Sequence, residues 1–394
     1  MTEKLFYQDS HMKEFDAEVL SCEAFQDKNG RELYRVVLDR TAFFPEGGGQ
    51  TADTGYLETA RVLDVQEQEE RIYHMTDSAL QPGKTVHGRI DWKERFSKMQ
   101  QHTGEHILSG LVHRIYGYDN VGFHLGNENV TLDFNGVLTR EQMREIESLA
   151  NEAAARNLEV QVNYPSKEEL CRIDYRSKIE IEGQVRLVTI PGYDVCACCA
   201  PHVKQTGEIG LIKLIGMQNY KGGVRITIRC GDRALADYNA KEASVKAVSH
   251  MLSAREDQIV EAVHHLQEEI FRLNGEKERL MSQILRQKAE QLSEGEEYVW
   301  LFEENLDGNQ MREYVNLVLE RKIGVCALFN RTETGSYRYV IASHKKDVRP
   351  FAKQLNAACS GKGGGKPEMV QGQAAASQEE ISRCLKKISR HDGE

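Results

Sequence analysis

The sequence predicts a multi-domain α+β protein. At roughly 150 residues per domain, a chain of 394 residues has room for two to three domains. Three patterns follow one another along it: β-branched and aromatic segments between turns, then helical spacing mixed with strand-like segments, and then a heptad repeat. The predicted architecture is a β-rich, barrel-like N-terminal domain (residues 1–90), an α+β domain (91–232), a helical connector (233–295) and a small C-terminal α/β domain (296–394).

Composition restricts the class of protein. The formal net charge is −10, which argues against a chain coated with nucleic acid or anionic lipid but permits a local basic patch. No run approaches the ~18 apolar residues of a transmembrane helix, and the first residues lack the pattern of a secretory signal. The odd number of cysteines, nine, is not expected to form a disulfide framework. We predict a soluble, cytoplasmic protein with no membrane partner.

The first 90 residues are predicted to be mainly β. Residues 33–38 and 86–90 are rich in β-branched and aromatic side chains, and turn sequences at 28–30 and 81–83 bound them. This pattern favours a small barrel or an open sheet.

From Trp92 onward the apolar spacing becomes helical. One helix is expected to end near Gly117, and a second is expected from about Thr139 to Asn157, where Thr139 and Gln142 form a capping box. Because strand-like stretches lie between and after these helices, the region is predicted to be α+β. The stretches are residues 130–134, 160–162, 185–190, 209–215 and 224–229.

Residues 235–292 favour helix and contain few breaks. An apolar residue recurs every seven positions, which is typical of a coiled coil or a helical hairpin. Asn274 and Gly275 could fold the segment back on itself, so a single long helix and a hairpin are both open. We expect the segment to be a spacer or a homodimer contact. The seam consists of Leu252, Ile259, Leu266, Leu273 and Leu280.

Two segments carry candidate metal ligands. His102 and His106 are four residues apart in a predicted helix, so both imidazoles project from one face and can bind one cation. Cys198 and His202 have the same separation in a segment between predicted strands. Together they form a tetrahedral set of nitrogen and sulfur donors, whose softness favours Zn²⁺ over Ca²⁺ or Mg²⁺. On spacing alone, Cys196 or Cys199 could take the place of Cys198.

The first segment also fits a second pattern. Residues 102–106 read His-Thr-Gly-Glu-His, the H-x-x-E-H arrangement of one class of zinc peptidases, with Glu105 as general base. Catalytic peptidase zinc usually takes a carboxylate as its third ligand, so the Cys198–His202 pair weakens this interpretation. A zinc peptidase therefore stays open as an alternative.

Residues 47–49 are three consecutive glycines, followed by Gln50. Because glycine has no Cβ, the backbone N–H groups there can approach a ligand closely and bind an anion or a carbonyl oxygen. The segment has neither the Gly-Lys-Ser/Thr ending of a P-loop nor the spacing of a dinucleotide fingerprint. We expect Gly47, Gly48, Gly49 and Gln50 to bind substrate; the alternative is a tight connection only.

Together these segments resemble the alanyl-tRNA editing proteins of the AlaX type, in their long form, which are similar to the editing half of alanyl-tRNA synthetase. The matching stretches are residues 44–55, 101–106 and 194–210, in that order. Residues 235–394 resemble the helical and glycine-rich DHH-associated domain at the C-terminus of the synthetase. The resemblance covers nearly the whole chain.

The resemblance implies deacylation of tRNA(Ala) mischarged with serine or glycine, at a Zn²⁺ site. The implied ligands are His102, His106, Cys198 and His202. Where the family usually has Cys-Gly-Gly-Thr-His, this chain has Cys-Cys-Ala-Pro-His at residues 198–202, which keeps the ligand spacing but loses two glycines and a hydroxyl.

Three further residues are candidates for the site. Thr103, beside the first ligand, is hypothesised to read the substrate hydroxyl or to position water. Glu105 is a candidate catalytic residue, or else a helix residue that is solvated or supports a ligand. His124 is a weaker candidate for a substrate contact. A non-catalytic, zinc-containing RNA-binding protein is the other open alternative.

A basic segment lies near the C-terminus. Between residues 336 and 367, seven basic residues accompany a single acidic one, Asp347, and aromatic residues lie among them. Residues 361–367 add a predicted glycine-rich loop. Cations that can contact phosphates, interleaved with aromatic rings, favour RNA binding. The candidate tRNA contacts are Lys345, Lys346, Arg349, Lys362 and Lys366.

Overall fold

The computed structural model describes residues 1–126, 129–177 and 183–391. The chain forms two compact units, Met1–Ala247 and Val248–Glu394. Both units mix helices with sheets, so the predicted multi-domain α+β class is confirmed. Across the described residues, no helix has the length and apolarity needed to cross a membrane.

The first part of unit 1 is a closed barrel of six antiparallel strands. The elements of this part of the chain are β1 (Glu3–Lys4), α1 (Leu5–Gln8), β2 (Glu14–Gln26), β3 (Glu32–Leu38), β4 (Arg40–Thr41), β5 (Gly55–Leu57), β6 (Ala60–Gln68), β7 (Arg71–Thr76) and β8 (Thr85–Ile90). Strands β1 and β4 pair with each other outside the barrel. The strand order around the barrel is β2-β3-β7-β6-β5-β8. Alternate side chains point inward, and Val36, Val65 and Ile72 are completely buried in its core.

The second part of unit 1 carries the longest buried helix of that unit. Its elements are α2 (Trp92–Tyr116), β9 (Asn120–Leu125), β10 (Val130–Phe134), α3 (Arg140–Ala155), β11 (Gln161–Asn163), α4 (Lys167–Leu170), β12 (Leu187–Ile190), β13 (Asp194–Ala197), β14 (Ile212–Tyr220), β15 (Gly223–Cys230) and α5 (Gly231–Leu252). The strands form two sheets, ordered β14-β15-β10-β9 and β11-β12-β13. Helix α2 contacts both sheets, and residues from all three share one apolar core.

Two predictions about helix ends are confirmed here. Helix α2 is followed by Gly117, which adopts the left-handed conformation (φ 70°) that ends many helices. Helix α3 begins with the predicted capping box, in which Thr139 and Gln142 each bond to the other's backbone N–H.

The helical connector differs from both forms that the sequence left open. Helix α5 ends at Leu252, and α6 (Ile259–Glu290) begins only after a 3-10 turn at Glu256–Gln258. The chain does not fold back at Asn274 and Gly275, because α6 continues through both. A glycine in a helix costs only about 1 kcal/mol, and an ion pair from Arg272 to Glu276 spans this turn.

Unit 2 continues from α6 into a five-stranded sheet with helices on both faces. Its further elements are β16 (Tyr298–Glu304), α7 (Gly308–Leu319), β17 (Val325–Arg331), β18 (Tyr337–Ala342), α8 (Arg349–Ala358), β19 (Lys362–Lys366), β20 (Met369–Ala374) and α9 (Gln378–His391). The strand order is β16-β17-β18-β20-β19. Helices α6 and α7 share one apolar cluster with the sheet, and α8 and α9 share another.

The predicted glycine-rich loop is wrong, because residues 362–366 form the edge strand β19. Two of its glycines are required by close packing. A Cβ on Gly363 would lie 2.3 Å from the Tyr339 hydroxyl, and one on Gly365 would lie 2.2 Å from the carbonyl oxygen of Met369. Gly364 has open space around it, so this glycine run gives a flat, accessible strand.

Candidate functional site

Helix α2 places His102 and His106 in the interior of unit 1. Their four-residue separation puts them on one face, and the ring centroids are 5.4 Å apart. Both side chains are almost fully buried. The helix can bury this polar stretch because the sheets on either side supply hydrogen-bond partners for it.

The second ligand segment follows strand β13. Arg186 holds this loop in place, since its Nη1 donates to the carbonyl oxygens of Cys198 (2.7 Å) and Ala200 (3.0 Å). The loop brings His202 to within 4.5 Å of His106, measured between ring centroids. Residues nearly a hundred positions apart therefore meet at one point, as the sequence predicted.

The four predicted ligands converge. One donor atom each from His102, His106, Cys198 and His202 lies within 4.8 Å of all the others. Cys198 Sγ is 3.5 Å from His102 Nε2 and 3.4 Å from His202 Nε2. A tetrahedron with Zn–S of ~2.3 Å and Zn–N of ~2.05 Å has an S–N edge of about 3.6 Å. The observed spacing therefore fits a tetrahedral metal of this size.

The structure distinguishes the three neighbouring cysteines. Cys198 belongs to the four-residue cluster, whereas Cys196 belongs to a different group with His106 and Asp194. Cys199 faces the glycine-rich segment, with its Sγ 3.1 Å from the position that a Cβ on Gly48 would occupy. Cys198 is thus the cysteine best placed to be a ligand.

Each histidine bonds to a different partner through Nδ1. His102 bonds to the Gln50 side-chain oxygen (3.1 Å), His106 to an Asp194 carboxylate oxygen (2.9 Å) and His202 to the Thr103 hydroxyl (3.0 Å). An imidazole whose Nδ1–H is donated in this way presents its Nε2 lone pair on the opposite side. The three partners therefore orient all three Nε2 atoms toward the common point.

The electrostatics of the cluster suit a bound cation. Burial raises the pKa of the Cys198 thiol, but the neighbouring imidazoles outweigh burial and bring that pKa well below its ordinary value. Burial lowers the pKa of His202 to about 3, which keeps that imidazole neutral. For His106, burial is outweighed by Cys196 and by the hydrogen bond to Asp194, so its pKa is raised. A thiolate, a neutral imidazole and a site that attracts positive charge are what a metal requires.

The glycine-rich segment lies beside this cluster. Gly47 and Gln50 exchange backbone hydrogen bonds of 3.0 Å, and Gly48 and Gly49 between them have positive φ angles of 60° and 80°. A Cβ on Gly49 would lie 2.7 Å from the ring of Phe123, which itself packs on His102 at 4.9 Å. This tight turn brings the segment directly against the ligand cluster.

Gln50 supplies an unused hydrogen-bond donor at the site. Its side chain is 1% exposed, and among the described residues its Nε2 has no partner. A buried amide without a partner costs about 1–3 kcal/mol, so it is expected to serve a ligand.

A buried ion pair fixes the glycine-rich segment to α2. Arg95 and Asp53 are bonded through a carboxylate oxygen that also accepts the backbone N–H of Phe44 (2.7 Å). Arg95 additionally donates to the carbonyl oxygen of Ala42 (2.6 Å). These contacts hold the chain on both sides of the turn against the helix that carries two of the candidate ligands.

The predicted catalytic residues occupy different positions around the cluster. Thr103 is completely buried, and its hydroxyl donates to the Met99 carbonyl oxygen (2.8 Å). Since that hydrogen is used, the Thr103 oxygen accepts the hydrogen bond from His202 Nδ1 (3.0 Å). Glu105 is also buried and therefore not a solvated helix residue; its Oε1 accepts from Ser109 (2.7 Å) and Asn120 (2.6 Å). The other carboxylate oxygen, Oε2, lies 3.8 Å from His106 Nε2, at the edge of the cluster.

Several residues of the site were not predicted from the sequence. Asp194 bonds to His106, Arg176 bonds to Asp194, and Phe123 packs on His102. Nothing in the local sequence of these three residues indicates such a role. Their roles depend on neighbours from distant segments. His124, the weaker candidate, is an exposed residue of β9 opposite Thr131 on β10.

The predicted tRNA contacts in unit 2 fall into two groups. Lys346 is bonded to Glu297 (3.0 Å), and the Arg349 guanidinium is held by Asp347. The other three are exposed and form no ion pair with any residue that the structure describes. They are Lys345, Lys362 and Lys366.

Three family models match the chain in succession. They are tRNA synthetases class II (A) over residues 1–94, the threonyl and alanyl tRNA synthetase second additional domain over residues 185–227, and the DHHA1 domain over residues 295–391. Two of the three matched domains are thus named for aminoacyl-tRNA synthetases.

Curated relatives narrow this assignment. An alanine–tRNA ligase of Ignicoccus hospitalis is 32% identical over 98% of this chain and 43% of the ligase. The alanyl-tRNA editing protein Aarsd1 of Danio rerio is 29% identical over 97% of this chain and 96% of that protein, and AlaX-L of Pyrococcus horikoshii is 26% identical over 99% of both. The predicted resemblance is confirmed: the chain is similar over nearly its whole length to proteins named alanyl-tRNA editing proteins, and to part of the alanine–tRNA ligases. It spans less than half the length of the alanine–tRNA ligases.

A solved structure, the C-Ala domain of Aquifex aeolicus alanyl-tRNA synthetase, also matches. It is 19% identical, covers 25% of this chain and 95% of that domain, and has a TM-score of 0.22.

Proposed function

We propose that this chain is an aminoacyl-tRNA hydrolase that deacylates tRNA(Ala) mischarged with serine or glycine. The observation that carries the proposal is the convergence of His102, His106, Cys198 and His202 beside the Gln50 side chain, whose Nε2 has no hydrogen-bond partner within the described part of the chain. The whole-length similarity to proteins named alanyl-tRNA editing proteins supports it. The same four donors favour this activity over a zinc peptidase, whose third ligand is usually a carboxylate.

The donor set fits Zn²⁺. Three imidazoles and a thiolate match its preference for nitrogen and sulfur, and the spacing of the donors matches its bond lengths. When bound, zinc supplies a Lewis acid that can hold the amino group of the substrate or polarise an oxygen. Because four protein donors already fill a tetrahedron, we favour a role in which zinc holds the side chains of the site in position over one in which it binds a water.

Gln50 and the glycine-rich segment are proposed to recognise the aminoacyl group. The free Nε2–H of Gln50 can donate to the serine hydroxyl, a bond that alanine cannot make. A buried donor that serine satisfies and alanine does not can discriminate between these two amino acids by roughly 10⁴-fold. The backbone N–H groups of Gly48 and Gly49 can bind the ester carbonyl oxygen as negative charge develops on it.

Glu105 is proposed as the proton carrier. Ser109 and Asn120 fix its carboxylate, with Oε2 near the converging donors. Such a carboxylate can take a proton from the attacking water and return it to the ribose oxygen as the ester C–O bond breaks. For Thr103 we propose a positioning role through His202, because its hydroxyl is already shared between Met99 and His202.

Unit 2 is proposed to bind the tRNA. The edge strand β19 presents Lys362 and Lys366 on an open surface. Lys345 lies in the loop before α8, and this loop contacts the end of β19 because Val348 N–H donates to the Pro367 carbonyl oxygen (2.8 Å). A cation with no ion-pair partner among the described residues can neutralise a phosphate and so displace the counterions bound to the RNA.

The exposed seam of α6 is proposed to form a homodimer. Leu266, Leu273 and Leu280 on this helix are 48%, 49% and 46% exposed, whereas apolar side chains at heptad spacing are normally buried against a partner. Sedimentation equilibrium should show a dimer that becomes a monomer in the Leu266→Glu, Leu273→Glu variant. A wild-type monomer would contradict this part of the proposal.

The decisive experiment is single-turnover deacylation of Ser-, Gly- and Ala-tRNA(Ala), with and without a chelator. We expect hydrolysis of Ser-tRNA(Ala), little of Ala-tRNA(Ala), and loss of activity with the chelator. Because glycine has no hydroxyl, hydrolysis of Gly-tRNA(Ala) would show that a contact other than the Gln50 donor selects it. The Cys198→Ala variant should lose both bound zinc and activity, while Cys171→Ala, at an exposed cysteine outside the cluster, should keep both. Full activity without metal would refute the mechanism, and tRNA binding without turnover would favour the non-catalytic alternative.

A further inference from the structure

Arg176 and Asp194 form a chain of contacts that ends on one candidate ligand. Asp194 Oδ2 accepts from His106 Nδ1 (2.9 Å), and Arg176 donates to both carboxylate oxygens through Nε (2.7 Å) and Nη2 (2.9 Å). The carboxylate is 1% exposed and the guanidinium 12%. Among the three candidate histidine ligands, only His106 has a charged partner, since His102 bonds to an amide and His202 to a hydroxyl.

We infer that Arg176 and Asp194 are positioning residues that set the orientation and donor strength of His106 for the metal. This inference rests on the metal centre of the proposed function.

Two features show that the arrangement is fixed by the fold. The backbone N–H of Arg176 donates to Val195 O and its carbonyl oxygen accepts from Ala197 N (both 2.9 Å), which ties the segment to β13. On the other side, Gly110 of α2 lets β13 approach, because a Cβ there would lie 2.2 Å from Tyr193 O. Both bonding partners of Asp194 are thus held in register.

The chemistry explains what the chain of contacts does. A carboxylate that accepts the Nδ1 proton prevents rotation of the ring and makes Nε2 a stronger electron donor. Arg176 holds the plane of the carboxylate through a bidentate bond, so Asp194 cannot turn away to become a ligand itself. This explains why the second group of donors, His106, Asp194 and Cys196, supports the four-ligand site rather than forming another.

The test measures metal affinity rather than activity. Asp194→Asn keeps the shape of the side chain but removes its charge, and Arg176→Gln removes the bidentate clamp. The matched control is Asp133→Asn, because Asp133 forms an equivalent bidentate pair with Arg225 (2.6 and 2.7 Å) between β10 and β15, outside the ligand cluster. Zinc affinity is measured by competition with a chromophoric chelator, and cobalt(II) binding by its absorption spectrum.

We expect Asp194→Asn to weaken zinc binding by about 10- to 100-fold, Arg176→Gln to weaken it less, and Asp133→Asn to change it by less than about twofold. At saturating cobalt, the thiolate charge-transfer band should persist in Asp194→Asn, because Cys198 stays a ligand. Wild-type affinity in a folded Asp194→Asn variant, or an equal loss in Asp133→Asn, would overturn the inference. If Asp194→Asn does not fold, wild-type affinity in Arg176→Gln overturns it instead. A wild-type chain that binds no zinc would refute the proposed metal centre itself.

Discussion

Replacing Lys345, Lys362 and Lys366 together by alanine should reduce the salt dependence of tRNA binding. These three cations are exposed and form no ion pair with the described residues, so each can neutralise a phosphate. Each phosphate contact contributes about 0.7–0.9 to the slope of log affinity against log salt. The triple variant should therefore lose about 2–3 from the slope.

The expected difference is large enough to measure. When the salt concentration rises from 50 to 200 mM, the tRNA affinity of the wild-type chain should fall about 20- to 40-fold more than that of the variant, because the variant lacks three phosphate contacts. The assay is equilibrium filter binding or fluorescence anisotropy with the full chain and labelled tRNA(Ala) at four salt concentrations. The hydrolysis rate at saturating substrate should stay unchanged, because the residues proposed to act in catalysis lie in unit 1.

The matched control is the Lys346→Ala, Arg349→Ala variant. Both cations are already paired with protein carboxylates, Glu297 and Asp347, so removing them should change the slope by less than about 1. If the control lowers the slope as much as the triple variant, net charge governs binding and the proposed surface is wrong. An unchanged slope in the triple variant would place tRNA binding elsewhere.

Three further predictions concern the fold. Gly110→Ala should lower the free energy of unfolding by about 1–3 kcal/mol in urea titrations, because the new Cβ would push Tyr193 and β13 away from α2. The same displacement should weaken zinc binding. An unchanged zinc affinity would show that β13 can move without cost. Gly275→Ala, within α6 and with open space around it, should stabilise unit 2 by about 1 kcal/mol, and a loss of stability would indicate a break in the helix. His74 has its pKa lowered to about 4 by burial, so the unfolded chain binds more protons between pH 4 and 6.5 and stability falls as the pH drops through that range. From pH 7 to 5 this amounts to about 2 kcal/mol, and His74→Gln should remove that part of the pH dependence; equal slopes for both proteins would refute it.

The candidate ligands illustrate how much the sequence could predict. The i, i+4 spacing of His102 and His106 determines that they share a helix face, and the residue types indicate zinc. Spacing could not select Cys198 over its neighbours, because the direction of each thiol depends on where strand β13 ends and on the two bonds from Arg186.

The connector and strand β19 illustrate where prediction failed. A heptad pattern identifies helix but not its breaks, and the interruption at residues 253–258 has no Pro or Gly to mark it. The glycine-rich stretch at 361–365 reads locally as a loop, yet residues 362–366 pair with β20 as a strand. Glycine is needed at 363 and 365 because Tyr339 and the backbone of β20 leave no room for a Cβ at these two positions.

The sequence by itself determined the α+β class, both ends of α2, the capping box of α3 and the residue types of the ligand cluster, because these depend on neighbours within a few positions. Only the tertiary structure decided which cysteine joins the histidines, which groups orient each imidazole and which lysines are free to meet phosphate. These depend on contacts between segments far apart in the chain, such as Arg176 with Asp194 and Gln50 with His102. No local pattern encodes such contacts, since they form only when separate elements pack against each other.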